Sequence, residues 1–322
     1  MIEKRRELVV AAIQIESIHG EIEINLEKAV KYVTQASKKN AKLVILPELF
    51  SCGYIPNPNI WNYGESNQSM TINWARNLSK ELNIYLGVGL VEIIEKEYLN
   101  TFIITNPEGN IEGRIQKDNA ESYCFKRGKG LHIIESNIGK IGVGICADNH
   151  YTKFVKMMQE EKIDILLMPH AWPSPVKASK GVSTNDIKKT EEEIKQFPIM
   201  VANLLGIPSI FINQIGEIAP MAGILGKIMD PEIFKLKGYS RIIDLDGKVK
   251  SELNDEAGIA IAKVIIDPAL KKKLEMPSFN GWLQPGSKTI RKIIIPLDIF
   301  FGSLYYKMSK KRKKIMSKIM NI

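Results

Sequence analysis

The sequence predicts an α/β protein in which a sheet-rich core is covered by helices on its outside. Short apolar runs typical of buried strands alternate with helical patterns along most of the chain. A turn signal at residues 106–110, Asn-Pro-Glu-Gly-Asn, separates two strand patterns and predicts a hairpin. A length of 322 residues allows one large core or two small ones. Because no low-complexity linker occurs before about Ser278, we assign residues 1–275 to a single domain and residues 276–322 to a C-terminal extension.

The first half of the chain begins with a strand pattern at residues 8–15. Basic residues precede it, as they would in a secretion signal, but Gln14 and Glu16 interrupt the apolar run and no small-residue cleavage site follows. We therefore expect a buried first strand. Further strands are predicted at residues 43–46, 84–93, 102–105 and 111–115, with helices at residues 23–39 and 71–82.

The second half repeats the alternation of strand and helix patterns. Helices are predicted at residues 151–161 and 191–205, and strands at residues 140–145, 163–168, 208–213, 240–244 and 259–265. A turn signal at residues 244–247, Asp-Leu-Asp-Gly, is expected to lie between the last two strands.

Charge is concentrated at the C-terminal end. The formal net charge is +9, and residues 288–322 hold ten basic residues against one acid, Asp298, so residues 1–287 are neutral. A neutral main domain argues against a nucleic-acid groove across it. Three cysteines and four scattered histidines show no metal-ligand spacing, and Walker, G-x-S-x-G and H-E-x-x-H motifs are absent from the sequence. We therefore expect a chain without metal, cofactor or disulfide, located in a reducing, cytoplasmic compartment.

Three reactive side chains follow predicted strands, where α/β sheets usually place active sites. Glu48 comes directly after an apolar run, and burial there would raise its pKa towards the range of a general base. Lys117 ends a strand pattern before an irregular segment. Cys146 ends a Gly-containing strand and opens a helix, an arrangement that exposes the thiol, frees backbone N–H groups and favours the thiolate. Taken singly, each also has an ordinary structural explanation as a capping acid, a solvated lysine or a buried apolar thiol.

Taken together and in order, Pro-Glu48, Gly-Arg-x-x-Lys117 and Gly-x-Gly-Ile-Cys146-x-Asp148 resemble the motifs of the nitrilase superfamily of carbon–nitrogen hydrolases. The resemblance extends over about residues 8–266. Other segments also lie where that family has similar ones, among them Tyr98-Leu-Asn100 and Asn213-Gln214. The resemblance implies a four-layer α-β-β-α sandwich that forms a homodimer or a larger homo-oligomer.

The resemblance also implies an amidase-type mechanism. Glu48 would take the proton from Cys146, and the thiolate would attack the carbon of an amide or nitrile. Lys117 and the backbone N–H of Ala147 would stabilise the oxyanion, and water activated by Glu48 would release the acyl group. Glu121 matches the family's second glutamate, which supports the lysine and helps to position substrate. Its loop departs from the family pattern, because only three residues separate it from Lys117.

Tyr54, Asn149, His170 and Trp172 are the candidate substrate-binding residues. They lie near the motifs or at the end of the strand predicted at residues 163–168. The alternative for His170 is a hydrogen-bonded structural role, and for Trp172 packing at a rim or dimer contact. The sequence lacks an arginine cluster that would mark a carboxylate-reading pocket, which favours a neutral or cationic amide.

The C-terminal extension predicts a basic amphipathic helix. Apolar residues recur from Leu297 to Met308 and again over residues 315–320, around a basic cluster at residues 310–314. Such a helix suits the surface of an anionic membrane and would place the protein peripherally on the inner face, favouring a lipophilic substrate. Packing on a partner subunit, or an arm that binds an acidic partner or nucleic acid, remain as alternatives.

The sequence therefore supports a Cys-dependent hydrolase of a small non-peptide amide, lipophilic or amine-bearing, that acts through a thioester. A catalytically silent scaffold of the same fold, binding a membrane or a partner, is the alternative from another class. The complete set of Glu48, Lys117 and Cys146 favours the enzyme, because a silent descendant would have no reason to keep all three. Within the enzymes, a nitrilase and an amide-forming N-acyltransferase remain open.

Overall fold

The computed structural model describes residues 5–320, within which the chain forms fifteen strands and six α-helices. The strands are β1 Arg6–Gln14, β2 Leu43–Ile45, β3 Tyr85–Ile94, β4 Glu97–Thr105, β5 Ile111–Gln116, β6 Ile133–Ser136, β7 Gly139–Val143, β8 Ile165–His170, β9 Pro173–Pro175, β10 Ser209–Asn213, β11 Ile215–Glu217, β12 Phe234–Lys237, β13 Arg241–Ile243, β14 Val249–Glu252 and β15 Gly258–Ile266. The helices are α1 Ile22–Lys38, α2 Met70–Leu82, α3 Thr152–Glu160, α4 Thr184–Leu205, α5 Ile295–Met308 and α6 Lys310–Met320.

The strands form two six-stranded mixed sheets and a small three-stranded one. The first sheet has the order β15-β1-β2-β3-β4-β5, and the second has the order β14-β13-β10-β8-β7-β6. The parallel pairs β1–β2, β2–β3, β7–β8 and β8–β10 lie at the centres of the two sheets, and antiparallel strands flank them. The small sheet, β11-β12-β9, lies apart from both.

The two large sheets pack face to face through apolar side chains. Ile45 and Phe102 of the first sheet belong to the same buried cluster as Ile141, Leu167 and Ile210 of the second. A second apolar cluster joins the outer face of the first sheet to α1 and α2, and another joins the second sheet to α3 and α4. Burial of both sheet faces explains the continuous apolar runs of the central strands. The predicted α/β class and four-layer α-β-β-α sandwich are confirmed.

Two differences from the predicted strands have local causes. The turn at residues 244–247 does not lead to the last strand, because it joins β13 to β14, a short polar and largely exposed strand. The last strand, β15, instead pairs with β1 in the first sheet. β4 begins earlier than predicted and continues from β3 through Glu95 and Lys96, which both adopt a positive φ, as a two-residue hairpin turn requires.

Helix α4 is longer than the sequence predicted. It begins at Thr184, where Ser183 and Asp186 form a reciprocal capping box. Its first turns are polar and exposed, and they lack the apolar periodicity that predicted only the part from residue 191 onwards. Pro198 lies inside the helix and is buried there.

The C-terminal extension contains two helices that pack on the main domain. α5 and α6 are separated at Ser309, whose backbone is extended. Asp298, Gly302 and Tyr306 form the buried face of α5, whereas most of its large apolar residues are exposed. The predicted helical extension is therefore present, with the polar side of α5 turned towards the protein. Among residues 5–320, no helix combines the length and the apolar character needed to cross a membrane.

Candidate active site

Glu48 lies just beyond β2, and its carboxylate is fully buried. Oε1 accepts hydrogen bonds from Nδ2 of Asn100 at 2.8 Å and from Nζ of Lys117 at 2.7 Å. Oε2 accepts a hydrogen bond from the backbone N–H of Ala171 at 2.9 Å. The Glu48 carbonyl oxygen in turn accepts from the Gln214 amide at 2.6 Å. Donors from three neighbouring strands or strand ends therefore fix the orientation of the carboxylate.

Lys117 follows β5 and connects two carboxylates. Its side chain is 1% exposed, and the ammonium group donates to Oε1 of Glu48 at 2.7 Å and to Oε1 of Glu121 at 2.9 Å. The hydroxyl of Tyr54 also donates to Oε1 of Glu121, at 3.0 Å. The structure thus brings Glu48, Lys117, Glu121 and Tyr54 into one hydrogen-bonded chain, across the short loop noted in the sequence.

Cys146 occupies a strained turn between β7 and a short 3₁₀ helix, residues Cys146–His150. Its φ of +47° is in the left-handed region, which residues other than glycine rarely adopt. Asn149 holds the turn by donating its amide to the carbonyl oxygens of Gly144 at 2.6 Å and of Cys146 at 3.2 Å. Side chains larger than hydrogen do not fit at Gly144, because a Cβ there would collide with the Asn149 amide.

Asp148 ties the same turn to the loop after Lys117. Its buried carboxylate accepts hydrogen bonds from the backbone N–H of Asn119 at 2.8 Å and from the Asn119 amide at 2.9 Å. The backbone N–H of Asp118 donates to it at 3.3 Å. Since one carboxylate holds the loop and the cysteine turn together, Glu121 and Cys146 keep a fixed relation to each other.

Burial and charge set the protonation states of these groups. Burial raises the pKa of the Cys146 thiol well above its usual range, and Glu48 adds to the rise. Burial also raises the pKa of Glu48, although the Lys117 ammonium acts against it. For Lys117, burial disfavours the charge, but Glu121 and Glu48 outweigh it and raise the pKa well above its ordinary value. At neutral pH the site therefore holds a protonated thiol beside a charged lysine.

The pKa of Glu121 is shifted in the opposite direction to that of Glu48. Burial alone would raise its pKa, but the ammonium of Lys117 and the hydroxyl of Tyr54 lower it below the usual value. Two carboxylates that share one lysine thus have pKa values displaced in opposite directions. This is the electrostatic pattern by which enzymes divide acid–base work from charge stabilisation.

Two adjoining cavities lie in front of these groups. Cys146 lines one of them and Glu121 lines the other, and the two share the side chains of Tyr54, Met221 and Trp282 together with Ala147. Ala147 is the second residue of the 3₁₀ helix, where a backbone N–H has no carbonyl partner within the helix. Glu48 and Lys117 line neither cavity, so a molecule in the cavity that contains Cys146 meets the sulfur before either of them.

The predicted substrate-binding residues fall into two groups. Tyr54 and Trp172 line the cavities. Asn149 and His170 line neither cavity, because both are fully buried and engaged with backbone carbonyls. The Nδ1–H of His170 donates to the carbonyl oxygen of Met168 at 2.8 Å, and its ring packs beside His150. These two residues lie behind the cavity walls, and their contact with substrate stays a prediction.

Several residues of the site were not singled out from the sequence. Asn100 and Gln214 lie in segments that resemble the family, but only the structure shows that both bind Glu48. Trp282, Arg291 and Ile295 of the C-terminal extension line the cavities. Nothing in their local sequence pattern points to this position, which depends on how the extension packs on the main domain.

Comparison with known proteins finds relatives over most of the chain. The family model described as carbon–nitrogen hydrolase matches residues 9–268. The N-carbamoylputrescine amidase of Solanum lycopersicum is 26% identical over 317 residues, which cover 92% of this chain and 98% of that protein.

Solved structures with low sequence identity share the fold. The carbon–nitrogen hydrolase from Helicobacter pylori G27 superposes with a TM-score of 0.71 at 21% identity, covering 80% of this chain and 89% of that one. A double mutant of the amidase from Nesterenkonia sp. AN1, in complex with acrylamide, superposes with a TM-score of 0.65 at 17% identity, covering 80% of this chain and 90% of that one. These likenesses extend over the sandwich and support the fold.

Proposed function

Because the chain belongs to the carbon–nitrogen hydrolase family, we propose that it hydrolyses a non-peptide amide through a thioester formed on Cys146. The observation that carries the proposal is the buried chain of hydrogen bonds through Glu48, Lys117 and Glu121, placed beside a cysteine on a strained turn. A general base, a fixed cation and a nucleophile that lines a cavity are the parts that covalent acyl transfer needs.

In the first half of the reaction, the Cys146 sulfur attacks the amide carbon while the thiol proton passes to Glu48. The raised pKa of the thiol keeps it protonated until the attack, so a base must then accept its proton. The raised pKa of Glu48 makes its carboxylate a stronger base for this step. The negative charge on the carbonyl oxygen is stabilised by Lys117 and by the backbone N–H of Ala147. When the carbon–nitrogen bond breaks, Glu48 returns the proton to the departing amine.

In the second half, water attacks the thioester and gives a proton to Glu48. The carbon–sulfur bond breaks, the acid is released, and Glu48 returns the proton to the Cys146 sulfur. Lys117 keeps its charge throughout, because Glu121 and Glu48 hold its pKa high. Glu121 acts as a positioning residue, since it holds the lysine and the Tyr54 hydroxyl in place.

The walls of the cavities favour a lipophilic amide. Met221 and Trp282 supply mainly apolar surface to the cavity that contains Cys146. Tyr151, Ile295 and Ile299 do the same in the adjoining cavity that contains Glu121. An amine-bearing substrate is the second candidate, because Glu193 lines the cavity that contains Cys146 and could face a cation. The name of the Solanum lycopersicum relative, N-carbamoylputrescine amidase, supports this second candidate.

The test is intact-mass spectrometry after incubation with amides that differ in acyl-chain length and in charge. Wild type is expected to gain the mass of the acyl group, and Cys146→Ala is expected to gain none. Cys52→Ala is the matched control, because Cys52 is fully buried and lies outside the cavities, so this variant should acylate like wild type.

The products formed from the acyl-enzyme distinguish amide hydrolysis from acyl transfer and from nitrile hydrolysis. Release of acid alone supports the hydrolase, whereas transfer of the acyl group to an added amine supports an N-acyltransferase. Activity on nitriles in place of amides would support a nitrilase. If no adduct forms across the panel and Cys146 also resists iodoacetamide, the silent scaffold replaces the enzyme as the better explanation.

A further inference from the structure

We propose that the outward face of α5 docks on an anionic membrane surface. Five large apolar residues of α5, together with Ile293 just before it, form this face and are 44% to 67% exposed, which is unusual for a helix packed on a globular domain. We call them the apolar stripe: Ile293, Leu297, Phe300, Phe301, Leu304 and Met308. Their spacing of three and four residues places them along one side of the helix.

The orientation of α5 is fixed by polar contacts on its opposite side. The Asp298 carboxylate accepts hydrogen bonds from the backbone N–H groups of Ile224 at 2.6 Å and Leu225 at 3.3 Å. The Tyr306 hydroxyl donates to Glu97 at 2.8 Å and accepts from the backbone N–H of Tyr98 at 2.9 Å. Because buried polar partners hold the inner face, the apolar stripe is a stable outward feature of the folded chain.

The charges around the stripe identify the surface that it fits. Lys292 and Lys307 adjoin residues of the stripe in the sequence, and Lys310, Lys313 and Lys314 follow on α6, all of them exposed. Within residues 283–320, all of which the structure describes, the single acidic residue is Asp298, and it is buried. An apolar face bordered by lysines matches an anionic bilayer, whose headgroups take the charges while the acyl region takes the apolar side chains.

The same charges oppose a second copy of the chain as the occupant. Two stripes facing each other would bring their bordering lysines together, and like charges disfavour such a contact. Anionic headgroups would instead neutralise every lysine on the border. We therefore assign the stripe to a lipid surface.

Docking would also place the proposed active site near the bilayer. Ile295 and Ile299 lie on α5 and line the cavity that contains Glu121, while the stripe on the same helix faces outward. A lipophilic amide dissolved in the membrane would then reach the cavity by a short path. This consequence rests on the proposed function, whereas the docking itself does not.

The experiment measures co-sedimentation of the full chain with vesicles of equal parts phosphatidylcholine and phosphatidylglycerol. The stripe variant is L297S/F300S/L304S, and we expect its partition coefficient to fall by at least about tenfold. The matched control is L131S/L270S/L274S, which makes the same kind of change at three exposed leucines elsewhere and should bind like wild type. Thermal melting checks that both variants fold.

Binding of wild type to these vesicles, weak binding to pure phosphatidylcholine and loss in the stripe variant alone would support docking. Equal binding by the stripe variant, or none by wild type, would overturn it. A change from dimer to monomer in the stripe variant without vesicle binding would assign the stripe to a second copy instead. Acylation of Cys146 is measured on the same samples, so failure of docking is distinguished from failure of the proposed function.

Discussion

At the scale of single residues, Asn100 lowers the pKa of Glu48, the proposed general base. Its amide donates to Glu48, and this hydrogen bond lowers a carboxyl pKa that burial otherwise raises. In Asn100→Leu the pKa of Glu48 should therefore rise further, and the acid limb of kcat/KM should move to higher pH. The pH profile of amide hydrolysis measures the shift. Thr105→Val is the control, because Thr105 lies on the same strand but donates to backbone carbonyls and not to Glu48. It should leave the acid limb of kcat/KM unchanged.

His170 links the stability of the fold to pH. Burial lowers its pKa well below the ordinary value, and the adjacent His150 acts in the same direction. Below about pH 6.5 the unfolded chain binds a proton at this histidine that the folded chain does not bind, so stability falls as the pH falls.

The variant His170→Asn tests this link, because the amide of Asn can still donate to Met168 while it cannot titrate. We expect wild type to lose up to about 1.4 kcal/mol of unfolding free energy per pH unit relative to the variant below pH 6.5. Denaturant titrations at several pH values measure the difference. A difference that stays constant with pH would contradict the assignment of a neutral buried imidazole.

The sequence predicts the proposed reactive residues, but it does not predict the groups that hold them in place. Glu48, Lys117 and Cys146 each follow a strand, and strand ends can be read from apolar runs. The sequence also suggested Asn149 as a substrate contact, but its amide is used to hold the cysteine turn. Whether a polar side chain faces a cavity or a backbone carbonyl depends on tertiary packing, which local patterns do not contain.

At the scale of elements, α5 packs closely against the main domain at Gly302. Gly302 packs against Ser122 and Tyr123, and a side chain there would collide with both. We expect Gly302→Val to push α5 away and to destabilise the fold by about 1 to 3 kcal/mol. Faster proteolysis between residues 283 and 295 and a lower melting temperature would report the change.

Leu304→Val provides the control for the glycine substitution. It introduces the same β-branched side chain into the same helix, but on the exposed side. We expect its melting temperature and proteolysis to match those of wild type. If both variants lose the same stability, helix propensity rather than the contact with Ser122 would explain the effect.

The elements that were missed or misjudged share a physical cause. β14 is polar and largely exposed, so it carries no alternation of apolar residues. α5 carries its apolar residues on the outside, so its sequence predicted an amphipathic helix without showing which side would face the protein. The core strands, with their continuous apolar runs, and the packed helices were predictable because burial itself produces their pattern.

At the scale of the whole molecule, the chain combines a neutral sandwich with a strongly basic extension. Arg312 and Lys311 use their charges within the fold, through Glu97 at 2.7 Å and Asn59 at 2.7 Å. Other lysines of α6 extend from the surface. The position of the charge, rather than its total, should therefore decide how the protein meets an anionic surface.

Two variants of equal net charge distinguish the effect of the position of the lysines from the effect of the total charge on vesicle binding. The extension variant is K310Q/K313Q/K314Q/K318Q, and the body variant is K31Q/K153Q/K188Q/K189Q, with every replaced lysine exposed. Each lysine near an anionic membrane adds about 1 kcal/mol, so the extension variant should bind phosphatidylglycerol vesicles roughly two to three orders of magnitude more weakly. The body variant should bind like wild type, and both should acylate Cys146 normally with a soluble amide. Equal weakening of both variants would show that net charge alone attracts the protein to the vesicles. It would contradict the proposal that the lysines of the extension determine binding.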